Sequence, residues 1–198
     1  MSSQLTSQSL RRGLNARQLG TVEKLLIAGQ EELREVGHEA LTIRTVALRA
    51  GVSPATAYTY LASKHHLFAE LFLRHIADDP DAEVVGSDVT ERVQNAARGV
   101  VNRLVVEPEL AAAVTPALLG SDPDVARLRL KIGAEFVTRF EAALREPGED
   151  GPVDPLVLEV LVLTLSGALL QAGMGVMTYD EMADRLDSAV AVIMRGNL

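Results

Sequence analysis

Hydrophobic residues recur along this chain at the spacing of α-helices. In the first such segment, residues 17–36, one helical face carries Val22, Leu25, Leu26, Ala28 and Leu33. Gly37 follows and is a natural helix end, because glycine readily takes the left-handed backbone conformation that stops many helices. The sequence shows no strand-like alternation and no long repeat. The pattern therefore predicts an all-α chain of about nine helices.

Two short helices are predicted next, at residues 43–50 and 54–60. Thr42 can cap the first of them, and Gly51 can form the sharp turn that ends it. Ser53 can cap the second, with Pro54 at the first helical position, where its missing N–H costs nothing. Two short helices joined in this way have the spacing of a helix-turn-helix.

Six further helices are predicted toward the C-terminus, the first of them capped by Ser63. They cover roughly residues 64–77, 88–106, 108–119, 123–145, 155–177 and 180–194. The helix at 155–177 is apolar on nearly every face, so we expect it to be buried all round. A membrane span is not predicted there, because Glu159 and Gln171 interrupt the apolar run.

Composition supports a helical, cytoplasmic protein. The chain has 198 residues, of which 47% are hydrophobic and 4% aromatic, and its core must be built from Leu, Val and Ala. This favours helices over a β-sandwich or a barrel. The absence of cysteine excludes disulfides, zinc ribbons and thiol catalysis and fits a reducing cytoplasm. Residues 1–16 are polar and lack the apolar stretch of a signal peptide, so we expect a flexible arm.

The net charge of −8 hides an asymmetry between the two parts of the chain. Residues 1–76 contain nine Lys and Arg against six Asp and Glu, whereas residues 77–198 contain ten against twenty-one. The acidic remainder argues against non-specific binding of nucleic acid by the bulk of the protein. A mildly basic N-terminal segment still permits a focused contact with DNA.

The second short helix has small side chains on its predicted outer face. A helix that enters the major groove must be narrow at its N-terminal end, so that its backbone can approach the base edges. Ala55 or the ring of Pro54 can touch a thymine methyl group, and Thr56 can bond a base or a phosphate. Tyr58 and Lys64 suit phosphate oxygens on the flanks.

Arg44 begins the first short helix and is the side chain of this motif that can make a bidentate contact with guanine. The motif offers few other groups that read bases. We therefore expect Arg11 and Arg12 of the arm and the shape of the DNA to share the task. An ordinary helical hairpin is the alternative interpretation, because a helix-turn-helix pattern alone is a weak signal.

Residues 17–76 resemble the DNA-binding domain of the TetR family of bacterial repressors. Besides Gly37, the matching segments are 41–47, 50–53, 56–60 and 63–64, which read LTIRTVA, AGVS, TAYTY and SK. The two tyrosines ahead of a lysine at the head of the fourth helix are quite specific to that family. The chain departs from the usual residue types at His38, Ala57 and Leu61, so packing is expected to differ while the fold stands.

The resemblance implies a DNA-binding helix-turn-helix domain at 17–63 and a helical ligand-binding and dimerisation domain at 64–198, connected by the helix at 64–77. It also implies DNA contacts at the positions of Arg44, Thr56, Tyr58 and Lys64. With the neighbouring caps and outward positions, the predicted DNA-binding residues are Thr42, Arg44, Ser53, Pro54, Ala55, Thr56, Tyr58, Thr59, Tyr60 and Lys64.

The C-terminal helices carry candidates for a dimer interface and for a ligand pocket. Close packing against a symmetry mate would give an isologous dimer through Leu161, Leu165, Ala168, Leu169, Leu186, Val190 and Ile193. An internal core is the alternative role of these residues. The candidates for a largely apolar pocket with a few polar groups are Asn95, Arg98, Asn102, Phe136, Phe140, Thr164, Met174 and Met177. The scarcity of aromatic residues favours an aliphatic tunnel for an acyl-chain, acyl-CoA or sterol-like ligand.

Resemblance and pattern together predict a ligand-responsive transcriptional regulator. It would bind palindromic double-stranded operator DNA as a homodimer and be released by a small, apolar effector. We predict no enzymatic activity, cofactor, metal or membrane partner, since the sequence contains no catalytic or phosphate-binding motif and no metal-ligand spacing. The rival prediction is a helical small-molecule-binding protein whose helix-turn-helix is vestigial.

Overall fold

The computed structural model describes residues 15–77, 85–146, 148 and 151–196. Most of the predicted arm, with Arg11 and Arg12, lies outside these residues, as do residues 78–84. Every regular element that the structure describes is an α-helix, which confirms the all-α prediction. The nine helices of the described residues are α1 (Ala16–Ala40), α2 (Ile43–Arg49), α3 (Pro54–Tyr60), α4 (Lys64–Ala77), α5 (Val89–Val105), α6 (Pro108–Leu119), α7 (Pro123–Leu144), α8 (Pro155–Gly173) and α9 (Tyr179–Arg195).

The helices form two compact units. Unit 1 contains the described residues up to 77 together with Pro108–Lys131, and unit 2 contains those from 85 to 107 and from 132 onward. The division falls inside α7, after Lys131. Unit 1 thus combines the segment predicted to bind DNA with α6 and the first turns of α7, which the predicted boundaries assign to the second domain.

The core of unit 1 forms between α1, α4 and α6, which pack against one another. The predicted apolar face of α1 is buried, from Val22 to Leu33. Helix α4 adds the fully buried Leu67, Phe68 and Phe72. At Gly37, the predicted helix end, the backbone leaves the helical conformation with φ 76° and ψ 167°, so α1 is kinked there and residues 38–40 follow the kink.

In unit 2, α9 packs against both α5 and α8. The buried residues of α5 and α9 recur at helical spacing, for example Val93, Ala97 and Val100 on α5 and Leu186 and Val190 on α9. Helix bounds agree with the predicted ones to within one residue at α5, α6, α7 and α9.

Helix α8 differs from its prediction in two ways. It ends at Gly173 and not near residue 177, because Gly175, with φ 73°, turns the chain away. It is also not buried all round, since only one face, with Val157, Leu161, Leu165 and Ala172, points into unit 2. Among the described residues, α8 is the helix whose length and composition would suffice to cross a membrane, but the core helices of soluble proteins pass the same test.

Candidate DNA-binding surface

Helix α2 begins with a reciprocal cap. The Oγ1 of Thr42 accepts a hydrogen bond from the backbone N–H of Thr45 at 3.2 Å, and the Oγ1 of Thr45 accepts one from the N–H of Thr42 at 3.2 Å. Such a cap satisfies two amide groups that the first turn leaves unpaired. Arg44 is exposed in this first turn, and its guanidinium makes no ion pair with any residue that the structure describes.

The turn between α2 and α3 is built as its sequence predicts. Gly51 has a φ of 67°, a left-handed conformation that other residues rarely adopt. The N–H of Val52 donates to the carbonyl of Ala47 at 3.0 Å and closes the turn. Ser53 then caps α3, because its Oγ accepts from the N–H of Thr56 at 3.1 Å, and Pro54 occupies the first helical position.

Helix α3 has one buried and one exposed face. Ala57 is completely buried, and with Val46 and Ala47 it fills the contact between α2 and α3. On the other side Pro54, Ala55, Tyr58 and Thr59 are exposed, while Thr56 and Tyr60 are half-buried. The outward face is therefore narrow and uncharged, as a helix that enters a groove requires.

A cluster around Arg49 holds α2 against α1 and was not predicted from the sequence. The Nε of Arg49 donates to Glu32 at 2.7 Å. Its Nη2 pairs with Glu35, and its Nη1 lies 3.9 Å from a carboxylate oxygen of Glu31. Hydrogen bonds to Glu35 and then Glu32 raise the pKa of Arg49 above its ordinary value, so it stays charged. The three glutamates follow one another on one side of α1, a signal that could have indicated a cationic partner.

Lys64 lies at the start of α4, where the sequence predicts a phosphate contact. Its Nζ donates to the carbonyl oxygens of His38 and Glu39 at 3.3 and 3.2 Å. The ammonium group has three hydrogens, so two of them serve the turn between α1 and α2. A contact between the third hydrogen and DNA stays a prediction.

The predicted ligand-binding residues of unit 2 lie in different surroundings. Arg98 pairs with Asp187, with Nε–O distances of 2.8 and 2.9 Å, and this bond raises its pKa. The side chains of Asn95 and Thr164 bond the carbonyls of Val85 and Val160. Of the others, Phe136, Phe140 and Met177 are buried, while Asn102 and Met174 are exposed.

Unit 2 contains a cavity of about 290 Å³ that none of these eight residues lines. Its apolar wall consists of Val89, Leu144, Val157 and Met194. Arg145 and Asp154 lie at its polar side. This cavity is a candidate small-molecule site of unit 2.

The residues predicted to form a dimer interface divide into two groups. Leu161, Leu165, Leu186 and Val190 are at most 2% exposed, so within the chain they are core residues of unit 2. Ala168, Leu169 and Ile193 are half-buried. The exposed apolar side chains of α8 are instead Leu156, Val160, Leu163 and Leu170. The sequence pattern located the apolar helix but did not tell its inner from its outer face.

Comparison with known proteins finds relatives of this chain. Residues 25–71, which include α2 and α3, match the family model described as bacterial regulatory proteins, tetR family. The HTH-type transcriptional regulator Rv0767c of Mycobacterium tuberculosis is 43% identical over 184 residues, which cover 92% of this chain and 84% of the relative. The HTH-type transcriptional repressor KstR of Rhodococcus jostii is 27% identical over 163 residues, which cover 80% and 75%.

Solved structures share the fold over nearly the whole chain. A TetR transcriptional regulator from Rhodococcus sp. RHA1 has a TM-score of 0.72 at 22% identity and covers 93% of this chain and 99% of its own. FadR of Bacillus subtilis, solved in complex with stearoyl-CoA, has a TM-score of 0.62 at 17% identity, with coverages of 87% and 97%. At these identities the likeness concerns the fold alone.

Proposed function

Because the chain belongs to the TetR family of bacterial regulatory proteins and is a DNA-binding transcriptional regulator, not an enzyme, we propose that it is a cytoplasmic repressor. It binds a palindromic operator as a homodimer and leaves the operator when a small apolar effector binds. The observation that carries this proposal is the narrow, uncharged outer face of α3, together with the exposed side chain of Arg44 in the first turn of α2. The relative KstR bears the name of a repressor, which supports the direction of regulation.

In the proposed complex the N-terminal end of α3 enters the major groove. Pro54 and Ala55 contact thymine methyl groups, and Thr56 bonds a base edge or a phosphate. Arg44 reads a guanine from the start of α2, while Tyr58 and Lys64 bond phosphate oxygens that fix the orientation. Thr42 and Ser53 act as caps that hold these helices, because their Oγ atoms already accept backbone N–H bonds.

The dimer is proposed from the outer face of α8. Leu156 and Leu163 are 69% and 63% exposed, and Val160 and Leu170 continue the same apolar surface. Covering such surface contributes about 25 cal/mol per Å² of apolar area removed from water. Two copies that meet through this face would be related by a two-fold axis, as the two halves of a palindrome are. Their α3 helices would then read half-sites about 34–36 Å apart.

The effector is proposed to bear an aliphatic chain. FadR, which shares the fold, was solved with stearoyl-CoA, and unit 2 supplies an aliphatic cavity wall of Val89, Leu144, Val157 and Met194. The cavity of about 290 Å³ is at the lower limit of ordinary ligand pockets, which measure about 300–1,000 Å³. It holds a short apolar chain as it stands, and a longer acyl group or a sterol-like ligand would need it to widen.

Selection of bound fragments from a random DNA pool tests the operator proposal. We expect the purified chain to enrich an inverted repeat whose half-sites are one helical turn apart or a multiple of it. Enrichment of a single half-site would contradict the dimer. A pool without any enrichment would contradict operator binding and favour a vestigial helix-turn-helix.

Mass spectrometry of ligand that copurifies with the chain tests the effector class. We expect acyl-chain compounds, and these should lower operator affinity in an anisotropy titration. A coupling of about 1–3 kcal/mol between the two sites corresponds to a loss of about 5–150-fold. A flat planar dye as the only tight ligand, or unchanged operator affinity at saturating acyl ligand, would contradict the proposal.

A further inference from the structure

Helix α6 lies in unit 1, where it packs against α1 and α4, although it is far in sequence from both. A carboxylate marks each of its ends. Glu109 is in its first turn, and Asp122 follows its last residue by three positions. Both carboxylates bond residues that flank the helix-turn-helix.

The first contact joins Glu109 to the turn that precedes α2. Its Oε2 accepts a hydrogen bond from the backbone N–H of His38 at 3.3 Å and lies 3.4 Å from Nδ1 of the same residue. The close approach depends on Gly37, because a Cβ atom there would lie 3.1 Å from this oxygen. Lys64 bonds the carbonyls of His38 and Glu39, next to the same glycine.

The second contact joins Asp122 to the residue that caps α4. The hydroxyl of Ser63 donates to Oδ2 of Asp122 at 2.7 Å and accepts from the N–H of His66 at 3.0 Å. The other oxygen of Asp122 accepts from the N–H of Asp124 at 2.9 Å, at the start of α7. One carboxylate therefore ties the start of α4 to the start of α7.

These two contacts bracket the helix-turn-helix in the chain. His38 lies four residues before the cap of α2 at Thr42, and Ser63 lies three residues after Tyr60, the last residue of α3. A shift of either end of α6 would therefore displace the start of α2 or the end of α3. Apart from Lys64, which directly follows Ser63, the side chains proposed to meet DNA lie between these two anchors in the sequence.

We propose that Asp122 and, to a smaller degree, Glu109 are positioning residues for DNA binding: through Ser63 and His38 they set the orientation of α2 and α3 without touching DNA themselves. Asp122 has the larger role because its bond to Ser63, at 2.7 Å, is shorter than the bond of Glu109 to the N–H of His38, at 3.3 Å. The inference rests on the operator binding proposed above.

Operator affinity of the full chain, measured by fluorescence anisotropy with the selected operator, tests the role of Asp122. Asp122→Ala and Ser63→Ala are each expected to weaken binding roughly tenfold, while circular dichroism shows unchanged helix content. Since both remove the same bond, the double variant should lose little more than either single variant. Ser63→Thr, which keeps the hydroxyl, should restore affinity.

Asp124→Asn is the matched control. It removes the same negative charge two residues away, and the side chain of Asp124 pairs with Arg127 on its own helix instead of with the helix-turn-helix. We expect its operator affinity to stay within about twofold of that of the wild type. Glu109→Ala is expected to lose roughly threefold, and Glu109→Gln, which keeps an acceptor for His38, less than that.

Equal operator affinity of the wild type, Asp122→Ala and Ser63→Ala, or a loss no larger than that of Asp124→Asn, would overturn the positioning role. Should Asp122→Ala fail to fold, the pair Ser63→Ala and Ser63→Thr decides the matter, because a positioning role requires the first to lose affinity and the second to keep it. A wild-type chain that selects no DNA would contradict operator binding itself. The two failures are therefore distinguishable.

Discussion

Helices α3 and α8 both expose one face to solvent, but the two faces differ in chemistry. The face of α3 carries the small Ala55 and the hydroxyl groups of Tyr58 and Thr59, which can form hydrogen bonds with water or phosphate oxygens. The face of α8 carries leucines and valines, of which Leu156 and Leu163 are more than three-fifths exposed. Removing apolar surface from water is favourable by about 25 cal/mol per Å², so the second face would gain from being covered by the second copy in the proposed dimer. The face of α3 is instead suited to the polar surface of the proposed DNA partner.

The largest expected effect comes from putting a charge on the outer face of α8. Leu163→Glu would bury a carboxylate at the proposed interface and weaken the dimer by more than about 4 kcal/mol, roughly a thousandfold in the dissociation constant. Sedimentation equilibrium measures it. Leu130→Glu is the control, because Leu130 is 78% exposed on α7 of unit 1. A wild type that is monomeric at all concentrations would contradict the proposal that the outer face of α8 binds a second copy of the chain.

The variant Arg44→Ala tests whether the surface formed by α2 and α3 recognises operator DNA. A lost bidentate contact with guanine costs about 1–3 kcal/mol for each half-site and relaxes specificity at that base pair. Anisotropy with the selected operator and a single-base variant of it measures both quantities. Arg195→Ala, at the exposed end of α9, should leave affinity unchanged. Unaltered specific binding by Arg44→Ala would favour the vestigial motif.

Two glycines of α1, the helix that supports α2 and α3 in unit 1, are expected to affect the free energy of unfolding in opposite directions. Gly37 has a backbone conformation open almost only to glycine, so Gly37→Ala should lower the free energy of unfolding by about 1–3 kcal/mol. Gly20 lies inside the same helix, and a Cβ there meets nothing within 4 Å. Gly20→Ala should therefore raise stability by up to about 1 kcal/mol. Urea unfolding measures both, and equal effects would contradict the special role of Gly37.

The smallest expected effect concerns the start of α9. The N–H and then the hydroxyl of Thr178 donate to Glu181 and hold its pKa below the ordinary 4.5. A lowered carboxyl pKa stabilises the folded chain fully above the unfolded value, and this contribution is lost as the pH falls through the folded pKa. Thr178→Ala removes the hydroxyl, so the pKa of Glu181 should rise toward the ordinary value in an NMR titration.

Ser87→Ala serves as the reciprocal control for that titration. The hydroxyl and N–H of Ser87 lower the pKa of Glu91 at the start of α5 in the same way. Each variant should raise the pKa of its own glutamate and leave the other unchanged. A rise of both would indicate a general change of unit 2 and not a local cap.

Local chemistry explains why the helix starts could be predicted from the sequence. Thr42, Ser53 and Thr178 bond amides three residues ahead, so the sequence alone contains both partners of each cap. Gly37 and Gly51 are equally local, because their conformation depends on the absence of a side chain. For the same reason the exposed positions of α3 could be predicted, since the cap at Ser53 fixes where the helix begins and Ala57 marks its buried side.

Contacts between distant residues could not be predicted in this way. Ser63 and Asp122 are 59 residues apart, and no pattern in the sequence around either residue indicates that the two are bonded. Likewise α8 is apolar all round, so its sequence could not tell that Leu161 points inward and Leu163 outward. The lining of the cavity in unit 2 could not be predicted for a related reason, since each ligand-binding candidate was chosen by residue type without knowledge of its neighbours.

The shortness of α2 and α3 has a consequence for the synthesis of the chain. Each has seven residues, whereas isolated helices shorter than about 12–15 residues are marginal in water. They therefore depend on the rest of unit 1, which includes residues up to Lys131. A nascent chain is expected to gain a DNA-reading surface only after α6 has left the ribosome, well after the helix-turn-helix itself has been translated.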